Sequence, residues 1–357
     1  MRKKNLRKRL LEDLSRTWVM QRLKRISLSA VPRWLGVRVA TSSRYQHSMA
    51  VGRLSLMVSG GTEHDRLLLT AAATLHDVGN GPFPHISDSL MKEMLGFTHE
   101  EAVQFAFDHS PVKDHLVLGK YKVDLAEVSS VLEGKHYLSR LLYGFPDLDN
   151  ADNVYRFLST IPGKPLGDPS YNPPEIAATM SLDHEKGNIP ENLQRRWASD
   201  FEKIYSYVWN DKDNMICWTM LGRALRILKE ILTPEFFRLT NKEAFNLMAQ
   251  RLPEWADNLR RKKYKILFDE KFAQLKGEAR KLSEPSNLPM IEQHLCTEAK
   301  IDKWCLGLTV DQPLLREKPD HWRVYLVSCR DNRETVSLLK DILSASEPFQ
   351  ATDDARS

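Results

Sequence analysis

The sequence predicts a mainly α-helical protein with a small mixed element near its C-terminus. Three observations carry that expectation. Through the first 280 residues, apolar side chains recur at helical spacing, interrupted by Pro- and Gly-rich stretches. No glycine-rich loop follows a strand-like run, so neither a dinucleotide-binding fingerprint nor a phosphate loop is present. Strand character is concentrated in "WRVYLVSC", residues 322–329. With 357 residues, 42% hydrophobic and 28% charged, the chain can bury a sizeable core and does not read as disordered.

Taken in order, residues 1–30 read as a basic amphipathic helix ending near Val31-Pro32. It holds ten Lys/Arg in its first 25 residues, with Leu10, Leu11, Leu14, Trp18, Val19 and Leu23 at helical spacing. This segment is either a solvated helix docked on the body or an anion surface for nucleic acid, a nucleotide or an acidic membrane. Glu12, Asp13 and Arg16 interrupt its apolar run, so it is not a signal peptide, and no run of about 18 apolar residues predicts a membrane span. A helix over 44–58 closes at Gly60-Gly61, and 65–75 is an Ala-rich, largely buried helix. "GNGPFPH", 79–85, must be a loop, and Thr98 with Glu101 has capping-box spacing at the start of the next helix.

Further helices are predicted at 124–132, 136–143 and 147–160, then after the Pro/Gly-rich connector 161–175 at 190–209, 215–232, 241–250 and 256–282. "SEPSNLP", 283–289, reads as a boundary, a helix follows the strand at 334–343, and 346–357 is a loose tail. The regions drawn are therefore 1–30, a core at 31–180, a helical extension at 181–283, a small mixed region at 284–345, and the tail.

Net charge is +5, mildly basic, and decides little by itself. The four cysteines form no C-x-x-C pair, which fits a reducing, cytoplasmic setting better than a disulfide framework or a zinc ribbon.

The chemistry lies in a few histidines and aspartates. His76-Asp77 stands where "VGNG" ends a helix, so the two side chains can share one ion although neighbours on a helix diverge by about 100°. His47 lies upstream, after Arg44. Downstream, "FPDLDNADNVYRF" offers Asp147, Asp149 and Asp152, with Asp149, Asp152 and Arg156 on one helix face. One of these carboxylates, with His47, His76 and Asp77, would complete a four-ligand site drawn from three helices, with positions left for water and substrate. An imidazole–carboxylate set suits Mn, Fe, Ni, Co or Zn better than Ca.

"SSRYQHSMAVG", "TLHDVGNGPFPHISD", "THEEA" and "DLDNADNVYR" resemble, in order and spacing, the HD-domain phosphohydrolases, closest to the deoxynucleotide triphosphohydrolase-like branch. The likeness covers about residues 40–160. It implies an HD-domain helical bundle with additional C-terminal helices. It also implies a divalent transition metal (Mg being a further option) held by His47, His76, Asp77 and Asp149. Alignment on Arg156 selects Asp149 and alignment on "AD" alone selects Asp152; the first is preferred. His85, Asp88 and His99 look like the acid–base group, and Arg44 and Arg156 like phosphate contacts.

A bound ion lowers the pKa of water from ~15.7 toward about 7, so attack on phosphorus is feasible at neutral pH. His85 or His99, held by Asp88, could protonate the leaving oxygen. Asn80 stands where the family has His, and Asn153 and Phe157 where it has Tyr and Asp. The metal core thus reads as intact and the nucleoside-reading shell as altered.

The expected activity is metal-dependent phosphohydrolysis of a nucleotide. A phosphodiesterase acting on a cyclic nucleotide or nucleic acid, and a nucleotide-binding sensor without turnover, are the alternatives. A homo-oligomer is expected by analogy. The remaining histidines, at 64, 109, 115, 136, 184, 294 and 321, fit no block and read as surface or locally satisfied residues. Trp197, Tyr205, Tyr207 and Trp209 read as core, and the basic run Arg260 to Lys265 as a solvated face.

Overall fold

The computed structural model describes residues 4–183, 189–271, 287–311 and 323–344. The chain divides into two compact units: Met1–Arg33, Arg38–Tyr207 and Pro234–Ala244 form the first, and Trp34–Val37, Val208–Thr233 and Phe245–Ser357 the second. Along the chain, 234–244 belongs to the first unit and 208–233 to the second, so the units alternate within the region drawn from the sequence at 181–283. Linear segmentation follows composition, whereas burial joins segments distant along the chain.

In the first unit the chain forms α1 (Lys4–Ser15), α2 (Trp18–Arg22), α3 (Arg44–Ser55), α4 (Glu63–Leu75), α5 (Asp88–Leu95), α6 (Val103–Asp108), α7 (Leu116–Gly119), α8 (Leu125–Leu132), α9 (Leu148–Thr160), α10 (Pro173–Ala178) and most of α11 (Glu191–Asn210). The expected single N-terminal helix is broken. Ser15 and Thr17 hydroxyls bond back to the carbonyls of Glu12 and Leu14, both at 2.6 Å, which ends α1, and Thr17 is extended before α2 begins. The apolar stripe survives the break: Leu10, Leu14, Val19, Met20 and Leu23 are all buried.

Helices α3 and α4 begin with capping boxes, Ser43 with Gln46 and Thr62 with Asp65. They lie close together at Gly52, where a Cβ would stand 2.5 Å from Thr74 Oγ1 and 2.7 Å from Leu11 Cδ1. The Thr98–Glu101 capping box also forms, though it opens a single 3-10 turn before α6. The predicted helix at 136–143 is likewise a 3-10 segment, Tyr137–Leu141.

The second unit holds α12 (Lys212–Leu228), the larger part of α13 (Asn241–Arg251), α14 (Pro253–Arg260), β1 (Lys265–Lys271), α15 (Asn287–Glu298), β2 (Leu306–Asp311), β3 (Arg323–Ser328) and α16 (Arg333–Ser344). The sheet is antiparallel in the order β1-β3-β2. Val324 and Leu326 of β3 meet Ile291 and Leu295 of α15 and Leu339 and Leu343 of α16 in one apolar cluster. Alternation sends Tyr325 the other way, its hydroxyl bonding the Trp209 carbonyl at 3.1 Å.

β1 corrects the helix predicted over 256–282. "KILFDEK" carries a β-branched and an aromatic residue, and pairing with β3 overrides its local charge pattern. The fully buried Glu292 accepts Arg223, Arg226 and the backbone N–H of Leu308 on edge strand β2.

The basic run makes ion pairs within this unit: Arg261 with Asp257 at 2.7 Å, Lys262 with Asp213 at 2.6 Å, and Lys263 with Asp257 at 3.7 Å. The tail at 346–357, residues 272–282 of the predicted helix, most of "SEPSNLP", His184 and His321 lie outside the described residues. Among the described residues, no helix is long and apolar enough to cross a membrane.

Candidate metal centre

Three helices of the first unit deliver the donors. His47 projects from the first turn of α3. His76 caps the C-terminus of α4, with Asp77 one step beyond, and Asp149 lies in the first turn of α9. His47 Nε2 stands 2.7 Å from Asp149 Oδ1 and 3.1 Å from His76 Nε2. His76 Nε2 is 3.6 Å from Asp149 Oδ1 and 3.7 Å from Asp77 Oδ2, and the last atom is 4.0 Å from His47 Nε2. His47, His76 and Asp77 are buried, and Asp149 is the open side of the group, its side chain 26% exposed.

These spacings suit one divalent cation. Ligand atoms about 2.0–2.2 Å from an ion are roughly 3–3.6 Å from one another. The other ring nitrogens are already committed: His76 Nδ1 to the Ala73 carbonyl at 3.0 Å, and His47 Nδ1 to Asp152 Oδ2 at 2.8 Å. Donation from both Nδ1–H groups turns both Nε2 lone pairs toward the centre. Asp77 Oδ2 is buried without a hydrogen-bond partner, as an atom meant for a cation would be.

Without an ion, the surrounding carboxylates favour a proton on His47, which a cation would have to displace. Burial opposes a charge on His47, yet its bonds to Asp149 and Asp152 raise its pKa to about 10. Burial also works against the charges of Asp77 and Asp149. Arg44 and the imidazoles nevertheless hold Asp77 below the usual carboxylate range, and the imidazoles hold Asp149 well below it. Asp147 behaves oppositely: burial and the neighbouring charge of Asp149 raise it well above that range. Its role here is structural, since it caps α9 by accepting Asn150 N–H at 2.7 Å.

Asp149 and Asp152, three residues apart on α9, embrace the two nitrogens of one imidazole. Asp149 sits on the donor side with His76, while Asp152 sits behind His47, gripped by Arg156 at 2.7 and 2.9 Å. Arg156, assigned to phosphate from the sequence, thus holds a site carboxylate, as its i+4 spacing on α9 allows. Arg44 is also engaged. It pairs with Asp77 Oδ1, and its Nη2 lies 3.1 Å from His85 Nε2, so it links the donors to a second cluster.

That second cluster is His85, Asp88 and His99. Asp88 Oδ2 is 3.3 Å from His85 Nδ1 and 2.9 Å from His99 Nδ1. Burial, helped by Arg44, lowers the His85 pKa, whereas Asp88 outweighs burial and raises that of His99. The loop is built for this placement. Phe83 and His85 adopt left-handed backbone, with φ of 54° and 65°, at a cost of about 1–3 kcal/mol each. Gly79 admits the second cluster, because a Cβ there would lie 2.1 Å from the His99 carbonyl oxygen and 2.9 Å from Ala102 Cβ.

Two contributors were not assigned roles from the sequence. Asn80, noted there only as a departure, is fully buried and donates to Asp77 Oδ1 at 2.8 Å. Arg22, read as part of a basic surface, is buried and donates to the carbonyls of Val78 at 2.9 Å and Asn80 at 2.6 Å. Its position three residues after Val19 on the apolar stripe was the available signal. His64, His109 and His136 bind Glu127, the Phe105 carbonyl and Leu138 N–H, apart from the site. Trp197 is fully buried, as expected, and Tyr205 is half-buried and stacks on Phe201 with ring centroids 4.2 Å apart.

Comparison with known proteins follows the same lines. The family model described as "HD domain" matches residues 44–140, which include Arg44, His47, His76, Asp77, His85, Asp88 and His99. An uncharacterized protein of Methanocaldococcus jannaschii is 24% identical over 218 residues, 59% of this chain and 44% of that protein. The chain thus matches less than half the length of this curated relative. The crystal structure of a phosphohydrolase from Bacteroides thetaiotaomicron superposes with a TM-score of 0.60 at 16% identity, over 89% of this chain and 95% of that one. That likeness is one of fold. Residues 44–140, the helical frame that carries most of these histidines and aspartates, thus match the HD-domain family, and the match does not extend to the rest of the chain.

Proposed function

We propose that this protein is a metal-dependent phosphohydrolase acting on a nucleotide, with His47, His76, Asp77 and Asp149 as ligands of a divalent transition metal. The observation that carries the reading is the pair of imidazole Nε2 atoms 3.1 Å apart beside the unpartnered Asp77 Oδ2. The name of the similar Bacteroides protein, a phosphohydrolase, supports the reaction class. When bound, the ion supplies an acidified water and a Lewis acid for a phosphoryl oxygen.

The chain's own residues supply the rest. His99, whose pKa Asp88 raises against the effect of burial, is the donor to the leaving oxygen. His85 is held neutral, and its side chain is 51% exposed, so it meets the substrate as a hydrogen-bonding group. Arg44 fixes Asp77 and His85 together and contributes positive charge where phosphate would bind.

One observation favours the second reading, a nucleotide sensor without turnover: Arg44 and Arg156 both hold site carboxylates. Nucleic acid at the basic N-terminus has weaker support, since Arg7 bonds to Thr70 at 3.1 Å and Arg22 is turned inward. The test is incubation of the purified protein with Mn²⁺ and a panel of NTPs, dNTPs, NMPs, cyclic nucleotides and short DNA, with a chelated control and chromatography of products. Nucleoside with triphosphate, or stepwise release of phosphate, is the expected result. Opening of a cyclic nucleotide or cutting of DNA would replace this reading with a phosphodiesterase. Binding without any product would replace it with the sensor.

A further inference from the structure

The two oxygens of Asp77 are treated differently. Oδ1 accepts Arg44 and, at 2.8 Å, Asn80 Nδ2, while the buried Oδ2 accepts nothing and lies 3.7 Å from His76 Nε2. Two donors on one oxygen fix the rotation of the carboxylate and leave the other oxygen to face the imidazoles. Asn80 cannot act on a substrate, because it has no exposed surface.

Asn80 is itself held at both ends of its peptide unit. Its N–H donates to the Asp77 carbonyl at 3.0 Å, and its carbonyl accepts Arg22 Nη2 at 2.6 Å. Arg22 Nη2 also binds the Val78 carbonyl at 2.9 Å, and Nη1 reaches those of Phe237 and Leu239, each at 3.4 Å. The Arg22 guanidinium feels the Glu243 carboxylate at longer range, but these hydrogen bonds all go to main-chain carbonyls; burying it there is costly, so its retention calls for a reason beyond packing. The Val78–Asn80 turn immediately after the ligand pair supplies one.

We propose that Arg22 and Asn80 are positioning residues of the metal centre: Arg22 pins the turn after His76-Asp77, and Asn80 thereby presents Asp77 to the ion through Oδ2 alone. This inference rests on the metal-centre reading above and adds to it how one ligand is aimed. It also accounts for Asn in place of the family's His at position 80. In this protein the residue serves the carboxylate from inside the fold.

The experiment is titration of the full-length chelated protein with Co²⁺, followed by its absorption spectrum and by calorimetry, for the parent, Asn80→Ala and Arg22→Lys. Melting of each chelated protein is the control for folding. Removal of Asn80 also removes its unpartnered Oδ1, and Arg44 still holds Asp77, so the melting temperature of chelated Asn80→Ala stays near that of the parent. Its Co²⁺ affinity falls about 10- to 100-fold, with a changed Co²⁺ spectrum, as loss of a group that orients a ligand predicts. Arg22→Lys keeps the charge but can satisfy fewer carbonyls, and shifts affinity and spectrum in the same direction. Parental affinity and spectrum in Asn80→Ala would overturn the inference while leaving the metal centre standing. A parent that binds no Co²⁺ would overturn both.

Discussion

His47 and His76 face one another edge to face, with Nε2 atoms 3.1 Å apart and ring centroids 5.0 Å apart. Two imidazole lone pairs at that distance repel unless a proton or a cation lies between or beside them. Each ring is also fixed from behind, one by Asp152 and the other by the Ala73 carbonyl, so neither can turn away.

Removal of a donor should therefore remove the ion. His76→Ala and Asp77→Ala are expected to lose bound metal, measured by elemental analysis, and to lose turnover by on the order of 10³-fold, as loss of several kcal/mol of charge stabilisation requires. Full turnover in metal-free His76→Ala would refute the assignment.

Gly79 tests the joint between the two clusters. Gly79→Ala places a methyl group where the His99 carbonyl now sits, 2.1 Å away. The expected cost is about 1–3 kcal/mol of stability by urea denaturation. Displacement of His99 should lower kcat more than it lowers metal content.

The acid–base assignment predicts a sign in pH. The His99 pKa is raised, so its proton is present below that raised value and lost above it. Turnover should decline as pH rises through that raised value. Asp88→Asn, which removes the raising charge, should move that decline to lower pH, and His99→Gln should abolish it. For stability the sign is opposite. The Asp88 carboxyl titrates below its ordinary value because His85 and His99 outweigh burial, so its contribution is present above about pH 4 and is lost as pH falls through its folded pKa. Asp88→Asn should flatten that part of the acid unfolding curve.

Glu292 makes a prediction for the second unit. Glu292→Ala leaves Arg223, buried, and Arg226, partly buried, without their carboxylate and strands the Leu308 N–H. A loss of about 3–5 kcal/mol in denaturant unfolding is expected, with metal content per folded molecule unchanged.

Much of this molecule was legible in one dimension because helices are locally encoded. The capping box at Thr98 and the 3.6-residue periodicity read over 65–75 and 147–160 need no distant partner to be recognised. The grouping of His47, His76 and Asp149 was legible too, since few side chains hold a transition metal and their spacing is constrained by helix ends. β1 was not legible, because its conformation is set by β3, more than fifty residues away.

By itself the sequence determined a helical frame, its caps, and the residue types able to hold a cation. The sequence preferred Asp149 to Asp152 without separating them; only the tertiary structure shows Asp149 beside both imidazoles, Arg156 gripping Asp152, and Asn80 and Arg22 bonded from inside to Asp77 and its turn. The reason is directional. Asp149 and Asp152 share one helix face, and only the placement of His47 between them separates the carboxylate beside His76 from the one behind His47.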